Sequence, residues 1–113
     1  MQPTALVDAE NVRRSTWPNL DPEELLRRCR AWAERHDARL IVVFDGATPA
    51  TDAADVDGSG GGTADDRIAE LAGTLDGPVW VVTSDRELRR RVSGHAERVI
   101  GGGTFVQQLL GDH

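Results

Sequence analysis

Four short stretches put acids where a folded chain can use them: Leu6-Val7-Asp8-Ala9-Glu10-Asn11, Val43-Phe44-Asp45-Gly46, Thr63-Ala64-Asp65-Asp66 and Val82-Thr83-Ser84-Asp85-Arg86-Glu87. In three of them the acids follow an apolar run. Carboxylates gathered in one small site repel one another, and their proton affinities rise unless a cation offsets the charge. A donor set of oxygens alone selects hard ions, Mg²⁺ or Mn²⁺. Zinc does not fit, because His36, His95 and His113 are scattered and show no metal spacing. Mg²⁺ held by a few carboxylates, waters and substrate phosphates is the usual arrangement for phosphoryl transfer.

Each acid also has a purely structural explanation. Thr63 with Asp66, and Ser84 with Glu87, have the spacing of helix capping boxes. Acids in a first helical turn favour the macrodipole, and Asp45-Gly46 suits a turn. Helical geometry separates the members of the pairs. The apolar face of a helix from Thr63 to about Leu75 centres on Ile68, Leu71 and Leu75. Asp65 then lies roughly 75° from that centre and Asp66 roughly 175°, by the 3.6-residue period. Asp66 therefore points to solvent, whereas Asp65 flanks the buried face. Asp85 precedes Leu88 by three residues and Val92 by seven, which leans it towards the core. Glu87 can complete a capping box without it. Glu10 lies between Asp8 and Asn11, and nothing in the pattern requires it.

The elements that must position these acids alternate between strand and helix. Thr4 to Val7 reads as a short buried strand. Asp21-Pro22-Glu23-Glu24 is a helix start, with an Asp cap, Pro at the first position and Glu three residues after the cap. Leu25, Leu26, Cys29, Trp32 and Ala33 form one apolar stripe, and the helix ends near His36. Arg39 to Phe44 is a continuous apolar strand of the kind covered on both faces. Residues 46–62 have linker composition and read as a flexible loop in which nothing packs. Pro78 to Val82 is a third strand, Ser84 to about Ser93 a third helix, Arg98 to Ile100 a fourth strand and Phe105 to Leu110 a last short helix. The expected fold class is α/β, with a mainly parallel sheet of about four strands. Right-handed crossovers bring the carboxyl ends of parallel strands to one edge, where such folds place their sites. Asp8, Asp45 and Asp85 end strands on that edge, and Asp65 and Asp66 open a helix beside it.

With 113 residues, the chain reads as one domain over 1–113. No stretch is long and apolar enough to span a membrane, no signal peptide is expected, since Met1-Gln2-Pro3-Thr4 has neither a basic nor an apolar leader pattern, and a single cysteine forms no internal disulfide. A cytoplasmic protein is expected. The net charge of -6 argues against a generic electrostatic clamp on nucleic acid. Yet all thirteen basic residues are Arg, the residue suited to bidentate phosphate contacts. They cluster at Arg13-Arg14, Arg27-Arg28-Arg30 and Arg89-Arg90-Arg91, and charge runs of this kind also simply solvate helices. Trp32 and Trp80 lie in apolar patterns and belong to the core. Trp17 follows Arg13 and Arg14 and precedes Pro18. It is less clearly core, and an exposed aromatic near positive charge suits base stacking. Gly101-Gly102-Gly103 before a helix is a turn at the sheet edge that could present backbone N–H groups to phosphate.

The motifs VDAEN, VVFDG, TADD and VVTSDRE, in that order, resemble the NYN domain of the PIN-like nuclease superfamily, and within it the YacP-like bacterial ribonucleases. The likeness runs from about Leu6 to Leu110. It implies a three-layer α/β/α PIN-like domain with an acidic pocket that binds Mg²⁺ or Mn²⁺ and hydrolyses RNA phosphodiesters. By that resemblance Asp8, Asp45, Asp65, Asp66 and Asp85 match the metal aspartates. Asn11 matches the asparagine that orients the site, and Ser84 and Thr83 stand beside Asp85. Residues 46–62 carry three acids, Asp52, Asp55 and Asp57, but no Arg or Lys, where the family usually has basic residues. RNA grip would then come from Arg13, Arg14 and Arg86, with Ser84 as a further contact.

The expected activity is metal-dependent endoribonuclease chemistry at Asp8, Asn11, Asp45, Asp65 and Asp85, on single-stranded or structured RNA. The acidic balance and the stripped loop also suit a non-catalytic RNA- or protein-binding module of the same fold. A nuclease toxin of a toxin–antitoxin pair is a third reading. A protein partner or a homodimer is compatible with all three.

Overall fold

The computed structural model describes residues 2–45, 55–58 and 63–111. Its element order is β1 (Thr4–Asp8), α1 (Ala9–Arg13), α2 (Pro22–Arg35), β2 (Arg39–Phe44), β3 (Val56–Gly58), α3 (Ala64–Thr74), β4 (Val79–Val82), α4 (Arg86–Val92), β5 (Arg98–Ile100) and α5 (Gly102–Leu110). The strands form one five-stranded sheet in the order β3-β2-β1-β4-β5. Every pairing is parallel. β1 is therefore central, and its end is the point from which the sheet grows in both directions.

Side-chain alternation along the strands divides the core into two layers. Ala5, Val7, Val42, Phe44, Trp80, Val82 and Ile100 pack against α1, α2 and α5. Leu6, Val43, Val79 and Val81 face the other way, against Ala64, Ile68 and Ala72 of α3 and Leu88 and Val92 of α4. Helices thus cover both faces of the sheet, giving α/β/α layers. Trp32 and Trp80 are buried as expected. Trp32 also donates its indole N–H to Gln108 Oε1 at 2.9 Å. Cys29 is buried too, and burial pushes its thiol up to about 12. No helix among the described residues is long and apolar enough to cross a membrane.

The structure corrects the expected elements in four places. The sheet has five strands, because Val56–Gly58 pairs with Val42–Phe44 inside the span read as a loop. Its acids are what dock it. Asp55 takes two hydrogen bonds from the Arg30 guanidinium, at 2.6 and 2.9 Å. Asp57 takes one from Arg67 Nε at 3.0 Å, and Val56 packs on the core. The rest of the 46–62 span lies outside the described residues. Second, β1 runs directly into a short helix, α1, which had not been expected. Third, α4 starts at Arg86 with Asp85 as its cap. Ser84 and Glu87 form no capping box; Glu87 pairs with Arg90 instead. Fourth, α5 starts at Gly102 rather than Phe105.

Candidate functional site

The parity of β1 decides where its acid goes. Asp8 shares a face with Leu6, on the side covered by α3 and α4. Asp45 follows Phe44 and shares the parity of Val43; Thr83 follows Val82 and shares that of Val81. All three therefore lie on one face at the carboxyl edge of the sheet. α3 enters that edge with Asp65, and Asp85 caps α4 there. The result is a cleft of about 250 Å³ lined by Asp8, Glu10, Asn11, Arg14, Asp45, Thr63, Ala64, Asp65 and Asp85.

Asp8 is the floor of this cleft, with 5% of its surface exposed. Its Oδ1 accepts from the Asn11 backbone N–H at 3.5 Å, capping α1. Its Oδ2 accepts from the Thr83 hydroxyl at 3.1 Å. Burial pushes its carboxyl up to about 6; the Thr83 hydrogen bond opposes this, and the Asp65 and Asp85 charges add to it. Burial also raises Asp65, with Asp85 and Asp45 contributing and Arg91 opposing. The cleft thus concentrates negative charge in a partly desolvated place. Among the described residues, however, no three His, Cys, Asp or Glu side chains stand ready to hold a metal ion together.

A lattice of hydrogen bonds fixes the acids. Thr83 Oγ1 also accepts from the Asp85 N–H at 3.1 Å, and Asp85 Oδ1 accepts from Leu88 N–H at 2.9 Å. Thr83, fully buried, thus ties Asp8 to the turn that presents Asp85. Asn11 Oδ1 accepts from the Ser84 N–H at 2.9 Å, locking α1 to the same turn. The Ser84 hydroxyl accepts from Gly102 N–H at 2.7 Å and seats the start of α5. Gly102 must be glycine for a packing reason. A Cβ there would stand 2.6 Å from Asn11 Oδ1, 2.9 Å from Ser15 Oγ and 3.3 Å from Ser84 Oγ.

Other expected site residues are used differently. Asp66 does not line the cleft; it is exposed, and its carboxylate pairs with Arg91 at 2.9 Å. One residue of helical rotation separates it from Asp65. Arg13 is turned inward, donating from Nε to Leu20 O at 2.6 Å and from Nη1 to Glu10 at 2.8 Å, so it is not free to grip phosphate. Arg14 lines the cleft and is exposed, with one contact to Glu10 at 3.7 Å. Arg86 is exposed and outside the lining, and Ser84 serves as a structural link. Sequence reasoning set Glu10 aside, yet it lines the cleft and orients both Arg13 and Arg14. It also passed over Thr83 as a working residue. The available signal was parity, since a threonine one step beyond Val82 must share the face of Asp8.

No protein-family model matches the chain, and no curated protein matches it. Solved structures do. A variant of Rae1 (YacP) from Bacillus subtilis superposes with a TM-score of 0.78 at 22% identity, covering 96% of this chain and 75% of that one. Rae1 (YacP) itself gives a TM-score of 0.71 at 20% identity, covering 94% of this chain and 72% of that one. The chain has the Rae1 (YacP) fold. At this identity the likeness establishes architecture, and the chemistry must be argued from the cleft.

Proposed function

We propose that the chain is a metal-dependent endoribonuclease. The observation that carries this reading is the cleft itself: Asp8, Asp45, Asp65 and Asp85 arrive from four segments at the carboxyl edge of one sheet. Two of those carboxyls, Asp8 and Asp65, are raised by burial and by one another's neighbours. Helix capping accounts for Asp8 and Asp85 one at a time but not for four carboxylates facing one cleft, whose repulsion a divalent cation relieves. The motifs' resemblance to YacP-like ribonucleases and the shared fold with Rae1 (YacP) support the same reading.

The donor chemistry fits Mg²⁺ or Mn²⁺. Because no three carboxylates among the described residues are grouped to hold one ion, one or two would bind directly and the others through water, the habit of Mg²⁺. When bound, the ion would activate a water and offset charge on the phosphate. The remaining work falls to the chain's own groups. Thr83 holds the Asp8 carboxylate in one orientation. Asn11 fixes α1, and hence Asp8 and Arg14, relative to the Asp85 turn. Arg14 offers a guanidinium at the rim for a phosphate oxygen. Asp65 opens α3 on the cleft wall and would hold the ion or one of its waters.

The net charge of -6 and the lack of Arg or Lys in residues 46–62 also favour a second reading, a non-catalytic RNA- or protein-binding module. One experiment separates the two. Purified protein is assayed on labelled single-stranded and structured RNA with Mn²⁺, beside Asp8→Asn and Asp85→Asn, and melting is followed with and without the ion. A nuclease cleaves and is stabilised by Mn²⁺, and both responses are lost in Asp8→Asn. A wild type that neither cleaves nor responds to the ion refutes the proposal.

A further inference from the structure

Trp17 is the most exposed large apolar side chain among the described residues, at 93%, whereas Trp32 and Trp80 are at 0% and 9%. Its loop is anchored on both sides. Leu20 N–H donates to Arg13 O at 3.3 Å, Arg13 Nε returns a bond to Leu20 O, and Leu20 packs on the core. The Thr16 hydroxyl lies 3.2 Å from Arg13 O and 3.0 Å from Pro18 O. Ser15 donates to Asn11 O at 2.9 Å. Ser15 also borders Gly102, the first residue of α5, which places the loop at the carboxyl edge of the sheet. An indole is thus presented to water from a braced loop, at the edge that holds the acidic cleft.

Arg14, three residues earlier, lines that cleft. Three residues of chain separate their Cα atoms by at most about 10 Å, a span that one or two nucleotides bridge. We propose that Trp17 is a stacking platform for an unpaired base of the RNA substrate, flanking the phosphate that Arg14 meets at the rim. The inference rests on the reading of the cleft as an RNA-processing site and assigns its substrate class, single-stranded RNA. A base within a duplex already has both faces stacked and cannot lie on an indole, whereas a splayed base in a single strand can. The preordered loop means little freedom is lost on stacking.

The test uses the full chain in an Asp8→Asn background, so that no cleavage intervenes, with a ten-nucleotide adenosine oligoribonucleotide followed by tryptophan fluorescence. The single strand is expected to quench the exposed tryptophan, and the same strand annealed to its complement to bind at least about tenfold more weakly. Adding Trp17→Phe should remove the quench and hold affinity within about threefold. Adding Trp17→Ala should weaken binding about tenfold or more, the usual loss of one stacked base. Both variants should melt as the parent does. With Asp8 restored, Trp17→Ala should raise KM about tenfold and leave kcat within about threefold. Unchanged affinity in Trp17→Ala, or equal binding of the duplex, overturns the inference. A quench with no cleavage by wild type defeats the nuclease reading alone. Cleavage with an unchanged KM in Trp17→Ala defeats the stacking inference alone.

Discussion

Replacing Asp8 with Asn is expected to make the metal-free protein more stable near neutral pH. Asp8 has an ordinary carboxyl value of 3.8 when unfolded and about 6 when folded. The folded state therefore binds the proton more tightly than the unfolded state. Below pH 4 both states are protonated and no penalty exists. As pH rises through 6 the native chain must carry a desolvated charge, and stability falls. A shift of about two units corresponds to about 3 kcal/mol. Asparagine removes the charge and keeps Oδ1 for the Asn11 N–H. Its amide meets the Thr83 hydroxyl, which must then accept where it formerly donated; that exchange offsets about 1 kcal/mol. The net gain should be about 2 kcal/mol at pH 7.5, or roughly 8 °C in Tm, shrinking as pH falls and reversing to about 1 kcal/mol in favour of the wild type once both states are protonated. Urea melts of both proteins in EDTA at pH 4, 5, 6 and 7.5 measure it. Mn²⁺ should reverse the order by stabilising the wild type alone. A difference that does not depend on pH, or an Asp8→Asn protein less stable at pH 7.5 in EDTA, would refute the assignment of Asp8 as a desolvated charge.

Thr83→Val keeps shape but leaves the Asp85 N–H without its acceptor and Asp8 Oδ2 without its donor; a loss of about 1–3 kcal/mol is expected by chemical denaturation. Because the Thr83 hydrogen bond holds Asp8 down, that variant should also move the Asp8 carboxyl resonance to a higher titration midpoint by NMR. Asp65→Asn should lower RNA cleavage by about a hundredfold, in line with loss of a metal contact, while Asp66→Asn, on the exposed side of the helix, should stay within about threefold and lose less than about 0.5 kcal/mol; the reverse ranking would undo the face argument. Gly102→Ala forces a methyl against Asn11 and Ser15 and should cost about 1–3 kcal/mol by thermal melting. Asp55→Ala should leave global stability within about 1 kcal/mol yet speed amide exchange at Val56–Gly58, since the Arg30 pair is what docks that edge strand.

Much of the site was legible because its positions follow from chain direction. Asp8, Asp45 and Asp85 end or follow apolar runs, and parallel strands bring such ends to one edge whatever the rest of the sequence does. The choice of Asp65 over Asp66 needed only the helical period. Partner choice was not legible. Arg13 and Arg14 are neighbours with identical side chains, but Arg13 faces Leu20 O and Arg14 faces the cleft. Asp85 displaced Ser84 as the α4 cap because Ser84 is held by Asn11 and Gly102, far away in sequence.

By itself the sequence determined the two-sided sheet, the limits of α2, β2 and β5, and the gathering of carboxylates, since continuous apolar runs, an Asp-Pro cap and a helical stripe are local signals. The tertiary structure alone decided that three residues of an Asp- and Gly-rich span become a fifth strand, that Glu10 belongs to the cleft, that Thr83 joins Asp8 to Asp85, and that Trp17 is left in water. The fifth strand and the Thr83 link depend on groups 25 and 75 residues away, Arg30 to Asp55 and Thr83 to Asp8; Glu10 depends on where α1 meets the cleft, and Trp17 on no group among the described residues covering it. Hydrogen-bond partners at that separation are set by the packing of finished elements, and no periodicity in the chain encodes them.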